Sequence, residues 1–217
     1  MIAALLVAGL AFQGTEAWER FIPGSYVEFQ TTTTQGGKSV KTFEKTVLRL
    51  VTDAEVVLTT ESTDGAGQRL ALEVRNPRPQ RAAPAEDFGA KTGTENVTVD
   101  GKAWPCEIRE KRGVRRWICA DVKFNGGVLK SEAIKGSDKV LTRVIKVEDK
   151  VRVGSATVAC WVREDVTETA DQKTVRTQWF SGEVPGGLVR VETRQSRGAE
   201  VIEKTDTLLT AFDVVKK

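Results

Sequence analysis

The sequence predicts an all-β protein built from antiparallel hairpins, with little helix. Nearly every segment after residue 18 alternates apolar with charged or polar residues and is rich in β-branched side chains, which is the pattern of half-buried strands. Turn dipeptides that contain glycine separate these segments at short intervals, as hairpins require. Beyond the first residues, no window shows the apolar period of a helix. We therefore expect one large curved sheet, arranged as a half-barrel or a sandwich.

A short unit recurs along the chain, and we call it the tryptophan unit. It consists of a tryptophan, a Pro-Gly or Gly-Gly turn a few residues later, and an alternating strand; its copies begin at Trp18, Trp117 and Trp179. Recurrence of one unit is typical of a sheet assembled from similar pieces. We predict a single β domain over residues 18–217, with repeat units at about 18–62, 95–148 and 149–213.

Residues 1–17 have the pattern of a secretory signal peptide. An apolar run over residues 1–12 is too short to span a bilayer comfortably, and Thr15-Glu16-Ala17 supplies a small-residue cleavage site. No Lys or Arg precedes the run, which leaves an uncleaved anchor or a buried first element as alternatives. A cleaved leader predicts a periplasmic or secreted protein that is close to the membrane without spanning it.

Short β-rich stretches predict four strands before the first long loop. The first begins at Thr31 and runs into a hairpin loop at Gly36-Gly37, and the other three cover residues 47–51, 56–60 and 70–74.

Residues 76–89 contain three prolines and no apolar periodicity, which predicts a loop with at most one short helical turn near residues 85–88. The loop is either a linker between two domains or a flap over one sheet. Because tryptophan units lie on both sides of it, we favour one continuous sheet.

The pairing of the middle strands follows from two-residue turns. The dipeptide at residues 100–101 is Asp-Gly, which suits a type I′ turn and places Val97 opposite Trp104 and Glu95 opposite Cys106. The later unit has an equivalent Gly-Ser turn.

The next hairpin turns at Arg-Gly, residues 112–113, so Ile108 faces Trp117 and Cys106 faces Cys119. Counting outward from the turn makes the two cysteines a pair without backbone hydrogen bonds, whose Cα atoms lie close together.

This register predicts a disulfide between Cys106 and Cys119 in an oxidising compartment, which would stabilise the hairpin by about 2 kcal/mol. Two alternatives stay open. Cys106 could pair with Cys160, the equivalent position of the later unit, or the cysteines could be free buried thiols.

The same register sorts side chains by face, and one face of these strands is apolar. Its residues are Val97, Val99, Trp104, Cys106, Ile108, Trp117, Cys119, Val151, Val153, Val158, Cys160 and Val162.

An apolar face must be covered by a second sheet, by the curvature of the sheet itself or by a ligand. In the last case a lipid-like molecule lies on the face. The residues predicted to line or rim it are Trp104, Trp117, Trp179, Val189 and Val191.

Composition argues against several classes of function. The chain has no histidine, which removes the Ser-His-Asp and Cys-His constellations and the histidine zinc motifs. Its acidic residues are mostly scattered singly along alternating strands, so we predict no enzyme, no catalytic residue, no cofactor and no metal site. A net charge of +3, with aromatics on the apolar side, also argues against nucleic acid as a partner.

A family resemblance rests on the third tryptophan unit, Trp179 followed by Pro185-Gly186-Gly187-Leu188-Val189-Arg190-Val191-Glu192, together with the leader and the succession of hairpins. These features resemble the bacterial outer-membrane lipoprotein-carrier (LolA/LolB-like) superfamily over roughly residues 18–213. The resemblance implies an open half-barrel that cradles a lipid or a lipoprotein acyl chain. It does not account for the cysteines, and the helices that cap the sheet in those carriers have no counterpart in this sequence.

Two functional hypotheses follow. The first is an exported, non-enzymatic protein that binds a hydrophobic ligand on an apolar sheet face. The second is an envelope structural or protein-interaction module whose core is fully self-packed.

Overall fold

The computed structural model describes residues 16–64, 66–77, 87–136 and 138–215. They form a single thirteen-stranded antiparallel sheet that is not closed into a barrel, which confirms the predicted all-β fold class. Of the predicted leader, residues 1–15 lie outside the described residues, as do residues 85–86 of the predicted helical turn.

Helical structure in the described residues is confined to a four-residue helix, α1 (Glu16–Glu19), and one 3-10 turn at Asn125–Gly127. The strands are β1 (Tyr26–Gln35), β2 (Lys38–Val51), β3 (Glu55–Thr63), β4 (Arg69–Pro77), β5 (Ala90–Val99), β6 (Lys102–Lys111), β7 (Val114–Ile118), β8 (Val128–Lys135), β9 (Asp138–Val153), β10 (Ala156–Glu168), β11 (Lys173–Phe180), β12 (Leu188–Arg197) and β13 (Glu200–Asp213).

The strands pair almost entirely with their neighbours in the chain. Their order across the sheet is β4-β3-β2-β1-β13-β12-β11-β10-β9-β8-β7-β6-β5. Among the described strands, only the pairing of β1 with β13 joins strands that are distant in sequence. The two edges are β4 and β5, the strands that precede and follow the proline-rich segment. The strands before and after that segment therefore belong to one sheet, as expected.

The hairpin registers agree with those read from the sequence. Residues 100–101 both have positive φ, 52° and 73°, as a type I′ turn requires. Val97 is opposite Trp104 and Glu95 is opposite Cys106. In the following hairpin, Ile108 faces Trp117 as expected.

Two clusters of buried apolar side chains hold the sheet together. The first draws on β1–β3 and β9–β13 and includes Leu48, Val189 and Leu209, none of which has measurable exposure. The second cluster is formed mainly by side chains of β5–β9 and includes Trp117 and Leu129. Full burial of one such aliphatic side chain contributes about 2 kcal/mol, so these clusters are the main source of stability.

The first tryptophan unit differs from the other two. Trp18 lies in α1 rather than in a strand, and only 2% of its surface is exposed. Its indole packs against Gly186, where an added Cβ would come within 2.9 Å of Nε1. The backbone N–H of Gly186 also donates to the carbonyl of Ala17 at 3.3 Å. The N-terminal segment therefore covers the end of the sheet at the third unit's turn.

Candidate binding surfaces of the sheet

Polar side chains from β5 and β8 contact the indole of Trp117. Its indole Nε1 donates to Oε2 of Glu95 at 2.7 Å, and Nζ of Lys130 lies 4.2 Å from the ring centroid. Lys130 in turn pairs with Glu132 at 2.8 Å. A carboxylate acceptor and a cation over the ring both stabilise the indole, and only 3% of the residue is exposed.

Trp179 has the same surroundings in the later unit. Its Nε1 donates to Oδ2 of Asp149 at 2.9 Å, and the guanidinium of Arg190 lies 5.1 Å from the ring centroid. Arg190 pairs with Glu192 at 2.5 Å. Burial acts to raise the pKa of Asp149, but hydrogen bonds from Trp179 and from Lys146 outweigh it and lower that pKa.

The backbone around the two tryptophans is also equivalent. Trp117 is opposite Lys130 and Trp179 is opposite Arg190, and in each pair of strands the register shifts by one residue immediately afterwards. Such a shift marks a β-bulge, which turns the strand towards the glycine loop. Both indoles are therefore engaged by groups of the protein itself.

The remaining predicted ligand residues lie in the two clusters. Trp104 is half-buried beside the second cluster, with Nζ of Lys102 3.8 Å from its ring centroid and no partner for its Nε1 among the described residues. Val189 and Val191 belong to the first cluster and are 0% and 5% exposed.

The register separates these residues onto two faces. The row of cross-strand partners that begins at Trp117 continues through Lys130, Arg143, Glu164 and Thr177 to Glu192. Val191 is the neighbour of Glu192 on β12, so it projects from the opposite face. The structure therefore does not bring Val191 and Trp117 to one surface. The sequence predicts the register within each hairpin but not the register between distant hairpins, so it could not predict this separation. A role in ligand binding for all five residues stays a prediction.

The predicted disulfide between Cys106 and Cys119 is present, with a Cα–Cα distance of 4.2 Å. The alternative pairing of Cys106 with Cys160 is thereby excluded. Cys160 is a buried free thiol, and burial raises its pKa to about 11, with smaller contributions from Asp149 and Glu183. It is protonated at neutral pH and unsuited to nucleophilic chemistry.

A polar surface that the sequence did not predict lies on the face of Val191. Threonine hydroxyls hydrogen-bond across strands there, at 2.9 Å between Thr31 and Thr207 and at 2.9 Å between Thr46 and Thr60. This surface continues over polar residues that are each between 1% and 9% exposed, namely Thr46, Thr207, Gln178, Glu44, Thr60 and Thr205. The face is thus apolar at one end of the strands and hydroxyl-lined further along.

Glu44 is the charged residue of this buried surface, with 6% of its area exposed. Its Oε1 accepts a hydrogen bond from Thr46 at 3.4 Å, whereas Oε2 has no partner in the described part of the chain. Burial raises the pKa of this carboxyl to about 7, and the Thr46 hydrogen bond offsets a small part of that change. In the sequence, Glu44 lies between Phe43 and Lys45 and reads as an ordinary solvated position.

The other face of β1–β4 carries a groove with a volume of about 520 Å³. Cross-strand partners form its two walls, which contain Glu28, Lys45, Glu61 and Ala71 on one side and Phe43 and Arg69 on the other. Half of the Phe43 side chain, 49%, is exposed. Lys45 pairs with Glu28 at 2.7 Å, so its aliphatic stem forms part of the wall.

The described residues contain no group of three or more His, Cys, Asp or Glu side chains that could hold a metal ion. None of the helices in the described part of the chain is long and apolar enough to cross a membrane.

Comparison with known proteins gives structural neighbours only. No known family model matches the sequence, and no curated protein matches it. Among solved structures, the chain is similar to a protein with a YmcC-like fold from Bacteroides fragilis, described as exported, with 13% identity, a TM-score of 0.42 and coverage of 89% of this chain and 98% of that chain.

Two further structures are similar over most of their length. One is from Parabacteroides distasonis and is described as a lipoprotein, with 10% identity, a TM-score of 0.40 and coverage of 88% of this chain and 96% of that chain. The other is a LolA superfamily protein from Nitrosomonas europaea, with 8% identity, a TM-score of 0.34 and coverage of 93% and 92%. The superfamily that the sequence resembles is thus represented among its structural neighbours. These three TM-scores are below 0.5, so the neighbours do not indicate the function of this chain.

Proposed function

We propose that this protein is an exported, non-catalytic binder that holds the acyl chain of a lipid or lipoprotein in the groove across β1–β4. The observation that carries the proposal is a groove of about 520 Å³ with a half-exposed phenylalanine, Phe43, in its wall. Ligand pockets in proteins commonly have volumes of roughly 300–1,000 Å³ and are lined mainly by apolar groups.

Exposure of Phe43 supports a ligand at this place. A large aromatic side chain that is left half in water contributes little to folding and gains free energy when a ligand covers it. The aliphatic stem of Lys45 and the methyl group of Ala71 extend the apolar surface along the opposite wall.

The chemistry of the groove favours binding without reaction. Of its carboxylates, Glu28 is paired with Lys45, Glu61 is the cross-strand partner of the same lysine, and the buried carboxyl of Glu44 projects from the other face of β2. General acid–base chemistry would require a titrating group within hydrogen-bond reach of the ligand. We therefore assign the groove a carrier or storage role.

Export is supported by two features of the chain. Residues 1–17 have the pattern of a signal peptide. The disulfide between Cys106 and Cys119 is of the kind that persists in the periplasm or outside the cell.

Binding of a fluorescent sixteen-carbon fatty acid tests the proposal. Substitution Phe43→Asp should weaken binding by about tenfold or more, since it puts a charge against the acyl chain. The matched control is Ile134→Asp, which changes an aliphatic residue that is 72% exposed on β8, away from the groove. The control should bind as the unaltered protein does.

Two results would contradict the proposal. Failure of the unaltered protein to bind the fatty acid, with no lipid retained in native mass spectrometry after extraction from its own cells, would favour the self-packed interaction module. Loss of binding on Trp104→Ala but not on Phe43→Asp would instead place the ligand at the tryptophans.

A further inference from the structure

Strand β4 forms one edge of the sheet, and no strand lies beyond it in the described ranges. Such an edge offers unpaired backbone N–H and C=O groups to another chain. Natural edge strands are usually protected by charges, by bulges or by very short length. β4 runs from Arg69 to Pro77 and pairs with β3 without a register shift.

The hairpin between β3 and β4 determines which residues face the free edge. The backbone N–H of Asp64 donates to the carbonyl of Gln68 at 3.0 Å, so this pair is a hydrogen-bonded one. Hydrogen-bonded pairs alternate along an antiparallel ladder. Leu70 and Leu72 therefore bond to β3, whereas Arg69, Ala71, Glu73 and Arg75 direct their N–H and C=O groups outwards.

Strand β4 exposes two leucines besides its charged side chains. Leu70 and Leu72 are 64% and 54% exposed and project from one face, while Arg69 and Glu73 project from the other. Arg69 has no ion-pair partner in the part of the chain that the structure describes. Glu73 contacts Arg75 at 3.0 Å, but more than half of each side chain is exposed, so this ion pair is weak and Glu73 can pair with another cation instead.

We infer that β4 pairs antiparallel with β4 of a second copy of this chain, with Ala71 opposite Ala71 on the twofold axis. Leu70 of each copy then faces Leu72 of the other on one face of the joined sheet. On the opposite face, Arg69 of each copy faces Glu73 of the other. The outward-directed groups of Arg69, Ala71 and Glu73 form about six N–H···O bonds across the axis.

Charge and apolar matching together select this register among the symmetric ones. An axis at Val74 also sets Glu73 opposite Arg75, but it places Leu72 opposite Asn76. Moving the axis by one residue to Leu72 places Arg69 opposite Arg75 of the other copy, and moving it to Glu73 places the two Glu73 side chains opposite each other. Like charges directly opposite are destabilising. Registers with the axis between two residues set outward-directed residues opposite Leu70 or Leu72, which bond to β3, and so form no ladder. The axis at Ala71 matches apolar groups and opposite charges at once.

This pairing of two β4 strands is separate from the proposed ligand binding and does not depend on it. Because Ala71 also belongs to a wall of the groove, the grooves of the two copies meet at the axis.

Analytical ultracentrifugation of the exported full chain over micromolar concentrations tests this inference. The unaltered protein should dimerise, and Glu73→Arg should weaken the dimer by about tenfold or more, since it places arginines opposite each other. The double exchange Arg69→Glu with Glu73→Arg should restore the dimer, because it recreates the ion pair with reversed signs. Ile134→Lys, an exposed apolar position on β8, is the matched control and should dimerise normally.

A second variant tests the backbone contribution. Ala71→Pro removes only an N–H that points away from β3, so each protomer should fold with unchanged circular dichroism while the dimer is lost. An unaltered chain that stays monomeric at about 100 μM would overturn the inference. So would equal weakening by Glu73→Arg and by the double exchange. Phe43→Asp should not affect dimerisation, which separates this inference from the proposed ligand site.

Discussion

Glu44 places a carboxyl group inside the sheet, next to the hydroxyl pair of Thr46 and Thr60. Its pKa is raised from 4.5 to about 7 mainly by burial, and no charged side chain of the described residues contributes to the change. Burial without a cationic partner disfavours the ionised form of a carboxyl, so the group keeps its proton to a higher pH. The fold therefore carries a group whose proton binding depends on whether the chain is folded.

Substitution Glu44→Gln should change how stability depends on pH. Between pH 4.5 and about 7, the unfolded chain releases a proton that the folded protein retains, so the free energy of unfolding falls as pH rises. The full loss is on the order of 3 kcal/mol above pH 7. Urea unfolding at pH 5 and pH 8 should show that the variant has lost this decrease and is the more stable protein at pH 8.

The exposed Glu200→Gln serves as the control for that measurement, and it should keep the pH dependence of the unaltered protein. If Glu44→Gln and the unaltered chain lose stability equally between pH 5 and pH 8, another group is responsible.

Residue patterns predicted the disulfide but not this carboxyl, and the reason is physical. Cys106 and Cys119 are joined by a two-residue turn, which fixes their register locally. Glu44 alternates with Phe43 and Lys45, and either face of such a strand can be the buried one. The choice depends on partners far along the chain.

At the scale of elements, two groups of three strands share one design. In β5–β7 and in β9–β11, an acidic residue on the first strand accepts from the tryptophan on the third, across a cysteine-bearing middle strand. Glu95 is opposite Cys106, and Asp149 is opposite Cys160. The position equivalent to Cys119 is Ser181, because Trp161 pairs with Phe180.

Substitution Ser181→Cys should therefore close a disulfide with Cys160. The loop between these positions has about 20 residues, so the bond should stabilise the protein by about 3 kcal/mol. Alkylation of the denatured but unreduced protein should label Cys160 in the unaltered chain and no cysteine in the variant. Ser181→Ala is the control and should leave Cys160 reactive.

Labelling of both Cys160 and the introduced thiol, with Cys106 and Cys119 still joined, would show that the two groups of strands are not equivalent at this position.

The equivalence of these strands was only partly visible in the sequence. The equivalent positions of Cys106 and Cys160 predicted it, as did the two-residue turns. The acceptors of the indoles were not predicted, because Glu95 and Asp149 lie two strands away from Trp117 and Trp179. A contact that crosses an intervening strand depends on bulges, and bulges leave no reliable mark in one sequence.

At the scale of the whole molecule, the strands follow one cyclic order that is cut between β4 and β5. The exception to local pairing is β1 with β13, which joins Thr31 to Thr207 across 176 residues. No short-range pattern predicts such a pairing. It also brings the two ends of the fold together, since the backbone N–H of Val215 donates to Oγ of Ser25 at 3.2 Å.

A circular permutant should therefore keep this sheet. The new chain would begin at β5 and end at β4, opened within residues 78–86, and about ten glycine and serine residues would join the former ends. Because β4 and β5 do not pair, no described ladder is broken, and stability should stay within about 1 kcal/mol of the parent protein. Refolding should be faster, since the pairing of β1 with β13 becomes a local hairpin.

The matched control opens the chain between Gly154 and Ser155, inside the turn that joins β9 to β10. That cut leaves the cyclic order intact but turns a local pairing into one between the two ends of the chain, which costs loop-closure entropy. Refolding should be slower than in the first permutant, and stability lower by about 2 kcal/mol, as measured by stopped-flow fluorescence and urea unfolding. If the permutant opened within residues 78–86 were the less stable of the two, that segment would have to join β4 to β5 for the sheet to form, and the cyclic order alone would not account for the fold.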